Sequence, residues 1–170
     1  MKFNDLPTWA KGVIAVVAVG SAVAIGIAVR NAIKNAKDKK GDKQANKELD
    51  KATQSEIDKL KAQGTTPTLS DADSLALARQ IETGLAGCEL SGTEKDIVNQ
   101  IIAKVNNQAD WLKLQQQFGV RDIDNCGYGT GDTSYDLKTL LLEQLDGLDW
   151  SFTTYSKVLI EGLAKKGITF

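Results

Sequence analysis

The sequence contains no histidine and only two cysteines, Cys88 and Cys126. Histidine is the usual general base and the commonest metal ligand, so its absence argues against hydrolase triads and zinc sites. Two cysteines cannot supply four thiolate ligands, which leaves one disulfide, two free thiols or one reactive thiol. The carboxylates Glu82, Glu89 and Glu94 cluster along the chain, but with nothing nearby to raise their pKa they are interpreted as an exposed acidic face. We therefore expect no enzyme activity.

The charged residues are also not evenly distributed along the chain, and the formal net charge of -1 hides this difference. Arg30 to Gln63 carries 10 Lys/Arg and 6 Asp/Glu, whereas Gly64 to Phe170 carries 9 and 15. The positive charge follows an apolar run, where anionic lipid headgroups would lie. This favours a membrane surface over nucleic acid as the partner of the basic segment.

Long hydrophobic runs are missing except for one, Gly12 to Val29, which has 18 residues without a charge. At about 1.5 Å per residue it covers about 27 Å, close to the hydrocarbon thickness of a bilayer. Trp9 stands at one edge and Arg30 at the other, where headgroup contacts are favourable. The sequence predicts a single-pass transmembrane helix and a membrane anchor over residues 1–34. A cleaved signal peptide ending near Ala24 is the alternative.

Small residues recur within this run at four-residue spacing, namely Ala18, Ala22 and Gly26. Such a face lets helices approach closely, which suggests a homo-oligomer, although Ala and Gly are also common in ordinary membrane helices. More basic residues follow the run than precede it. The positive-inside rule then places the C-terminal part on the cytoplasmic side, or in the virion equivalent.

Residues 35–69 are rich in Lys, Ala, Asn, Asp and Gln, with few large apolar residues. They are good helix formers, so the segment is interpreted as a lysine-rich stalk of two exposed helices divided near Gly41. A solvated spacer is the expected role. Gly64 to Pro67 predicts a flexible boundary before the folded part.

Residues 70–170 show five successive helix patterns and predict a compact all-α domain. Capping patterns begin the first helix at Ser70, the second at Thr93 and the fourth at Thr133, and Asn107 begins the third. The apolar stripes of the five helices are Leu77, Ile81 and Leu85; Ile97, Ile101 and Val105; Trp111, Leu114 and Phe118; Leu137, Leu140, Leu141 and Leu145; Tyr155, Val158, Leu159 and Leu163.

This helix order resembles a single annexin-type repeat over roughly residues 72–163. The segment SGTEKDIVNQIIAKV is similar to the loop and second helix of such a repeat, and YDLKTLLLEQLDG to its fourth helix. A repeat of this kind on a membrane anchor is similar to small proteins of bacterial phages and prophages.

The resemblance implies calcium-dependent phospholipid binding, but the calcium motif is incomplete here. Gly92 and Thr93 match the loop, whereas Leu90 replaces its earlier glycine and Gln144 stands where the family has its bidentate acid. Glu143 is adjacent, so Gly92 and Glu143 are only weak metal candidates. Because ligand charge sets calcium affinity, we expect no cofactor and an interaction module instead.

The stretch RDIDNCGYGTGD, from Arg121 to Asp132, has three glycines but no Gly-Lys-Ser/Thr ending, so it is interpreted as an ordinary loop. Cys126 lies in it and Cys88 in the first interhelical loop. If the loops meet, a disulfide would join them, although a cytoplasmic location argues against the bond.

These patterns favour a non-enzymatic, membrane-anchored structural or scaffold protein, such as a minor virion protein linking the internal membrane of a phage to its capsid. A bacterial envelope protein with a lipid- or partner-binding helical module is the alternative, and a small membrane-permeabilising factor a third. The expected partners are the bilayer and other membrane or capsid proteins. The late aromatics Trp150, Phe152 and Phe170, if exposed, would dock a basic surface on such a partner, with core burial of Trp150 as the alternative.

Overall fold

The computed structural model describes residues 39–85, 93–123, 133–145 and 154–170. Within these ranges the chain forms six helices and one antiparallel strand pair, which confirms the all-α class. The elements are α1 (Lys39–Ala62), α2 (Asp71–Leu85), α3 (Thr93–Lys104), α4 (Gln108–Phe118), β1 (Val120–Ile123), β2 (Thr133–Asp136), α5 (Leu137–Leu145) and α6 (Tyr155–Ala164).

Helices α2, α3, α4 and α6 lie where the sequence predicts them, and two of the predicted caps are present. The Ser70 hydroxyl accepts a hydrogen bond from the Asp73 backbone N–H at 3.0 Å. The Asn107 side chain accepts one from the Asp110 backbone N–H at 2.9 Å. Each cap satisfies a backbone donor that the first helical turn leaves without a partner.

The main core lies between α2, α3, α4, α5 and α6, and the predicted apolar stripes form it with one exception. Val158, predicted to belong to the stripe of the last helix, is 42% exposed. Trp111 belongs to this core and is only 1% exposed. The other largest fully buried side chains in the described ranges are Phe118, Leu77, Ile81, Ile101, Leu114, Ile123, Leu137, Leu140, Leu141, Leu145 and Leu159.

The strand pair is a difference from the sequence prediction. Thr133 was expected to begin the fourth helix, but residues 133–136 form β2, which pairs with β1 from Val120 opposite Asp136 to Ile123 opposite Thr133. Asp136 caps α5 instead, because its carboxylate accepts hydrogen bonds from the Thr139 N–H at 2.9 Å and hydroxyl at 3.0 Å. The predicted helix start at Thr133 is therefore wrong, and the helix begins three residues later than predicted.

Helix α1 corrects the prediction of a solvated stalk for residues 39–62. Four residues at four-residue spacing, Ala45, Leu49, Thr53 and Ile57, are buried and form a stripe along one side of the helix. The stripe packs α1 against α4 and β1. Thr53 tolerates burial because its hydroxyl donates to the Leu49 carbonyl oxygen at 2.7 Å.

None of the helices in the described ranges has the length and hydropathy that crossing a membrane requires. The predicted anchor, residues 1–34, lies outside those ranges.

Candidate functional site

The candidate site is the attachment of α1 to the helical domain, which we call the α1 attachment. It comprises the buried stripe of α1, the residues of α4 and β1 that contact it, and the linker 63–70 that connects α1 to α2. In the described ranges, these residues connect α1 to the rest of the domain. Any function that requires the domain to be held from its N-terminal side therefore depends on them.

The apolar part of the α1 attachment is a small cluster, separate from the main core. Ala45, Leu49 and Ile57 of α1 contact Leu112 and Val120, and every one of these side chains is at most 5% exposed. Removing such side chains from water stabilises the contact by about 1.5–3 kcal/mol for each large one. The contact is thus strong enough to hold α1 without being part of the main core.

Asn46 provides the first polar fixation, near the N-terminal end of the attachment. Its side-chain oxygen accepts a hydrogen bond from the Val120 N–H at 2.6 Å, and its side-chain nitrogen donates to the Val120 carbonyl oxygen at 3.0 Å. The amide thus occupies both backbone groups of the first residue of β1. Gly119, at φ 67, gives it room, because a Cβ there would lie 2.5 Å from the Asn46 oxygen.

Asp110 provides the second fixation, at the linker. Its carboxylate has no exposed surface and accepts hydrogen bonds from the Thr68 N–H at 2.6 Å, the Leu69 N–H at 2.8 Å and the Asn106 N–H at 3.0 Å. The Thr68 hydroxyl adds a fourth bond at 2.8 Å. Burial raises the pKa of Asp110, but the hydrogen bonds from Leu69, Thr68 and Asn106 outweigh it and hold that pKa below its ordinary value.

Two further side chains of α4 and its cap bind the linker backbone. Lys113 donates to the Leu69 carbonyl oxygen at 2.7 Å, and the Asn107 side chain donates to that of Thr66 at 3.1 Å. Lys113 also pairs with Asp71 at 2.7 Å, and its hydrogen bond and positive charge lower the pKa of that carboxyl. Asp110, Lys113 and Asn107 thus hold the linker at Thr66, Thr68 and Leu69, and the contact at Thr66 lies within the predicted flexible boundary.

A truncation of Leu49 tests whether the apolar cluster holds α1. We expect Leu49→Ala to lower the free energy of unfolding by about 2–3 kcal/mol, because it leaves a cavity against α4. Urea denaturation of the full chain in detergent micelles, followed by tryptophan fluorescence, measures it. Leu60→Ala is the matched control at a half-buried position of the same helix, and we expect about half that loss. Equal losses would contradict a specific role for the stripe.

Glu82 does not belong to an open acidic face, contrary to the interpretation from the sequence. Its carboxylate pairs with the Arg121 guanidinium, which also donates to the carbonyl oxygens of Phe118 at 2.6 Å and Gln117 at 3.1 Å. This arginine connects α2 to the C-terminal end of α4 and satisfies carbonyl groups that the helix leaves without partners. Glu94 is half-buried, and Glu89 lies outside the described ranges.

Phe170 is also not free to dock a partner. It packs against the main core, its ring centroid lies 5.1 Å from that of Trp111, and the Lys138 ammonium lies 5.4 Å from the ring centroid. The other aromatics proposed for docking, Trp150 and Phe152, lie outside the described ranges.

Most of the predicted site residues lie in parts of the chain that the structure does not describe. These are the membrane residues Trp9, Gly12, Ala18, Ala22, Gly26, Val29 and Arg30, the cysteines Cys88 and Cys126, and Gly92. The other metal candidate, Glu143, is exposed on α5. In the described ranges no three acidic, cysteine or histidine side chains are grouped to hold a metal ion.

No pattern in the sequence indicates the roles of Asn46 and Asp110 in holding α1 and the linker. Asp110 does lie in the first turn of α4, but its hydrogen bonds to Thr68 and Leu69 join residues 42 and 41 positions apart. The only local signal was an aspartate placed between two apolar residues, Ala109 and Trp111, at a position facing the core.

Comparisons of the chain with protein families, with curated proteins and with solved structures found no match.

Proposed function

We propose that this protein is a non-enzymatic scaffold protein that residues 12–29 anchor in a membrane and that presents its helical domain to other proteins. The setting we propose is a virion, where the protein would link the internal membrane of a phage to its capsid. The domain, proposed to be a single annexin-like repeat, would serve as the docking module.

The observation that carries this proposal is the way α1 is fixed to the domain. Asn46 binds the backbone of Val120, Asp110 binds the backbone of Thr68 and Leu69, and an apolar cluster lies between them. A pull on the N-terminal segment is therefore passed to α4 and β1 over most of the length of α1. This supports a holding function, because a free spacer would transmit force only through its last residue.

The attachment of α1 to the domain also limits the distance between the domain and the membrane. Helix α1 has 24 residues, or about 36 Å, and its buried stripe from Ala45 to Ile57 lies along the domain. Only residues 30–38 separate the proposed span from α1. Nine residues reach at most about 30 Å when fully extended, so the domain would be held close to the bilayer.

Flotation of the full chain with lipid vesicles tests the anchor. We expect the unchanged chain to rise with the vesicles and the variant Ala18→Lys/Ala22→Lys to stay at the bottom of the gradient, because each lysine near the bilayer centre costs about 2.5–3.5 kcal/mol. The matched control is Asn31→Lys/Asn35→Lys, which adds the same charge just beyond the run and should float. If the unchanged chain stays in the soluble fraction, or if both variants float equally, the anchor is wrong.

A further inference from the structure

Three lysines of α1 form a stripe on the side that faces away from the domain. Lys43, Lys47 and Lys51 stand at four-residue intervals and are exposed. Each precedes a member of the buried stripe by two residues, which is about 200° around a helix. The two stripes therefore run parallel on opposite sides of α1. We call Lys43, Lys47 and Lys51 the lysine stripe.

Packing of α1 fixes the direction in which the lysine stripe faces. A free helix could turn any side toward a partner, but α1 is held by its buried stripe and by the Asn46 amide. The ion pairs that the structure describes within α1 are Lys59 with Glu56 and Lys61 with Asp58, and both lie in its C-terminal half. The N-terminal half thus presents its lysines outward, with Glu48 and Asp50 on the flanks.

The charge of the chain is distributed asymmetrically about α1. Arg30 to Lys51 carries 8 Lys/Arg and 4 Asp/Glu, whereas Gly64 to Phe170 carries 9 and 15. A negatively charged surface therefore attracts the outer side of α1 and repels the rest of the domain. Such a surface orients the molecule as well as binding it.

The nearest candidate for that surface is the membrane itself, given the proposed anchor. The uncharged run ends at Val29, and at most about 30 Å of chain leads from there to α1. Clusters of lysines close to a membrane span bind anionic lipids, and the attraction extends over about a Debye length.

We propose that α1 lies flat on an anionic lipid surface, with the lysine stripe on the headgroups and the acidic domain on the far side. This inference rests on the proposed function and deepens it. The bilayer then contacts α1 alone, and the surface of the domain opposite α1 faces the partner. In this arrangement α1 is not the solvated spacer expected from the sequence but a helix that lies between the membrane and the domain.

Chemical labelling of the full chain in vesicles tests this arrangement. A membrane-impermeant amine-acetylating reagent is applied to vesicles of phosphatidylcholine, with or without one third phosphatidylserine, and the acetylation of each lysine is read by mass spectrometry. We expect labelling of the lysine stripe to fall at least about threefold in the anionic vesicles.

Three exposed lysines are internal controls, and their labelling should not change. They are Lys95 on α3, Lys157 on α6 and Lys165 just after α6. In 1 M NaCl the difference should disappear, because the Debye length falls to about 3 Å.

A pair of matched variants shows whether the lysines act together. In the variant Lys43→Gln/Lys47→Gln, the remaining Lys51 should lose its protection from labelling in anionic vesicles. In the control variant Lys95→Gln/Lys157→Gln, Lys51 should keep this protection. A chain that floats with both vesicle types but labels equally in both overturns the flat arrangement and leaves the anchor intact. A chain that floats with neither overturns the anchor and this inference together. Protection that appears only when nucleic acid is added assigns the lysine stripe to another polyanion and also overturns it.

Discussion

Replacing Asp110 by alanine is expected to lower the free energy of unfolding at pH 7 by about 3–5 kcal/mol. The substitution removes the acceptor of four hydrogen bonds, three of them from the backbone N–H groups of Thr68, Leu69 and Asn106. A buried donor without a partner costs about 1–3 kcal/mol, and the loss falls on the linker that joins α1 to α2. Urea denaturation of the full chain in micelles measures the change. Hydrogen exchange should also rise first at Thr68 and Leu69.

The contribution of Asp110 to the stability of the fold should also change with pH in a definite direction. The pKa of Asp110 is lower in the folded chain than in the unfolded chain, so its ionised form stabilises the fold. That contribution is complete above the ordinary aspartate pKa of about 4 and is lost as the pH falls through the lower, folded value. The stability difference between the unchanged chain and Asp110→Asn should therefore be constant above about pH 5 and shrink below about pH 4.

Asp50 is the matched control, because its pKa is shifted in the opposite direction. Burial raises the pKa of this α1 carboxyl, so its ionised form does not stabilise the fold. Asp50→Asn should cause no loss of stability at neutral pH. If Asp110→Asn and Asp50→Asn have the same pH profile, the hydrogen bonds to Asp110 do not hold the linker.

The five helices of the domain were predictable because each carries its signal within a few residues. Ser70 and Asn107 cap the helices that follow them, and the stripe of Leu77, Ile81 and Leu85 has the helical period. The strand pair carried no such signal, since each strand has only four residues. Its second strand also resembles a helix start, and tertiary pairing with Val120 to Ile123 decided the outcome.

The α1 attachment could not be read from the sequence for a different reason. Two of the four positions in the buried stripe are Ala45 and Thr53, which do not stand out as apolar, so the periodicity is weak. The hydrogen bonds of Asn46 to Val120 and of Asp110 to Thr68 span 74 and 42 positions. Polar residues in a lysine-rich segment are ordinarily solvated, and only the fold shows which of them meet a backbone group that lacks a partner.

Gly119→Ala is expected to destabilise the chain by about 3 kcal/mol, through two effects at one position. At φ 67 and ψ -153 the backbone of Gly119 lies in a region that is strained for any residue with a Cβ, which costs about 1–3 kcal/mol. The added Cβ would also meet the Asn46 side-chain oxygen at 2.5 Å. Asn46 must then move, and the Val120 N–H loses its partner. Urea denaturation of the full chain in micelles measures the loss.

Gly167→Ala separates the two effects, because Gly167 has a similar φ of 72 but nothing within 4 Å of its Cβ position. Gly167→Ala should therefore lower the free energy of unfolding through the backbone strain alone. The variant Asn46→Ala removes the atom that clashes, so Gly119→Ala should cost less in that background than in the unchanged chain, by about 1–2 kcal/mol of coupling. If the two substitutions add without coupling, the Asn46 amide does not fix α1 to β1. The α1 attachment would then rest on the apolar cluster and Asp110 without a polar contact near its N-terminal end.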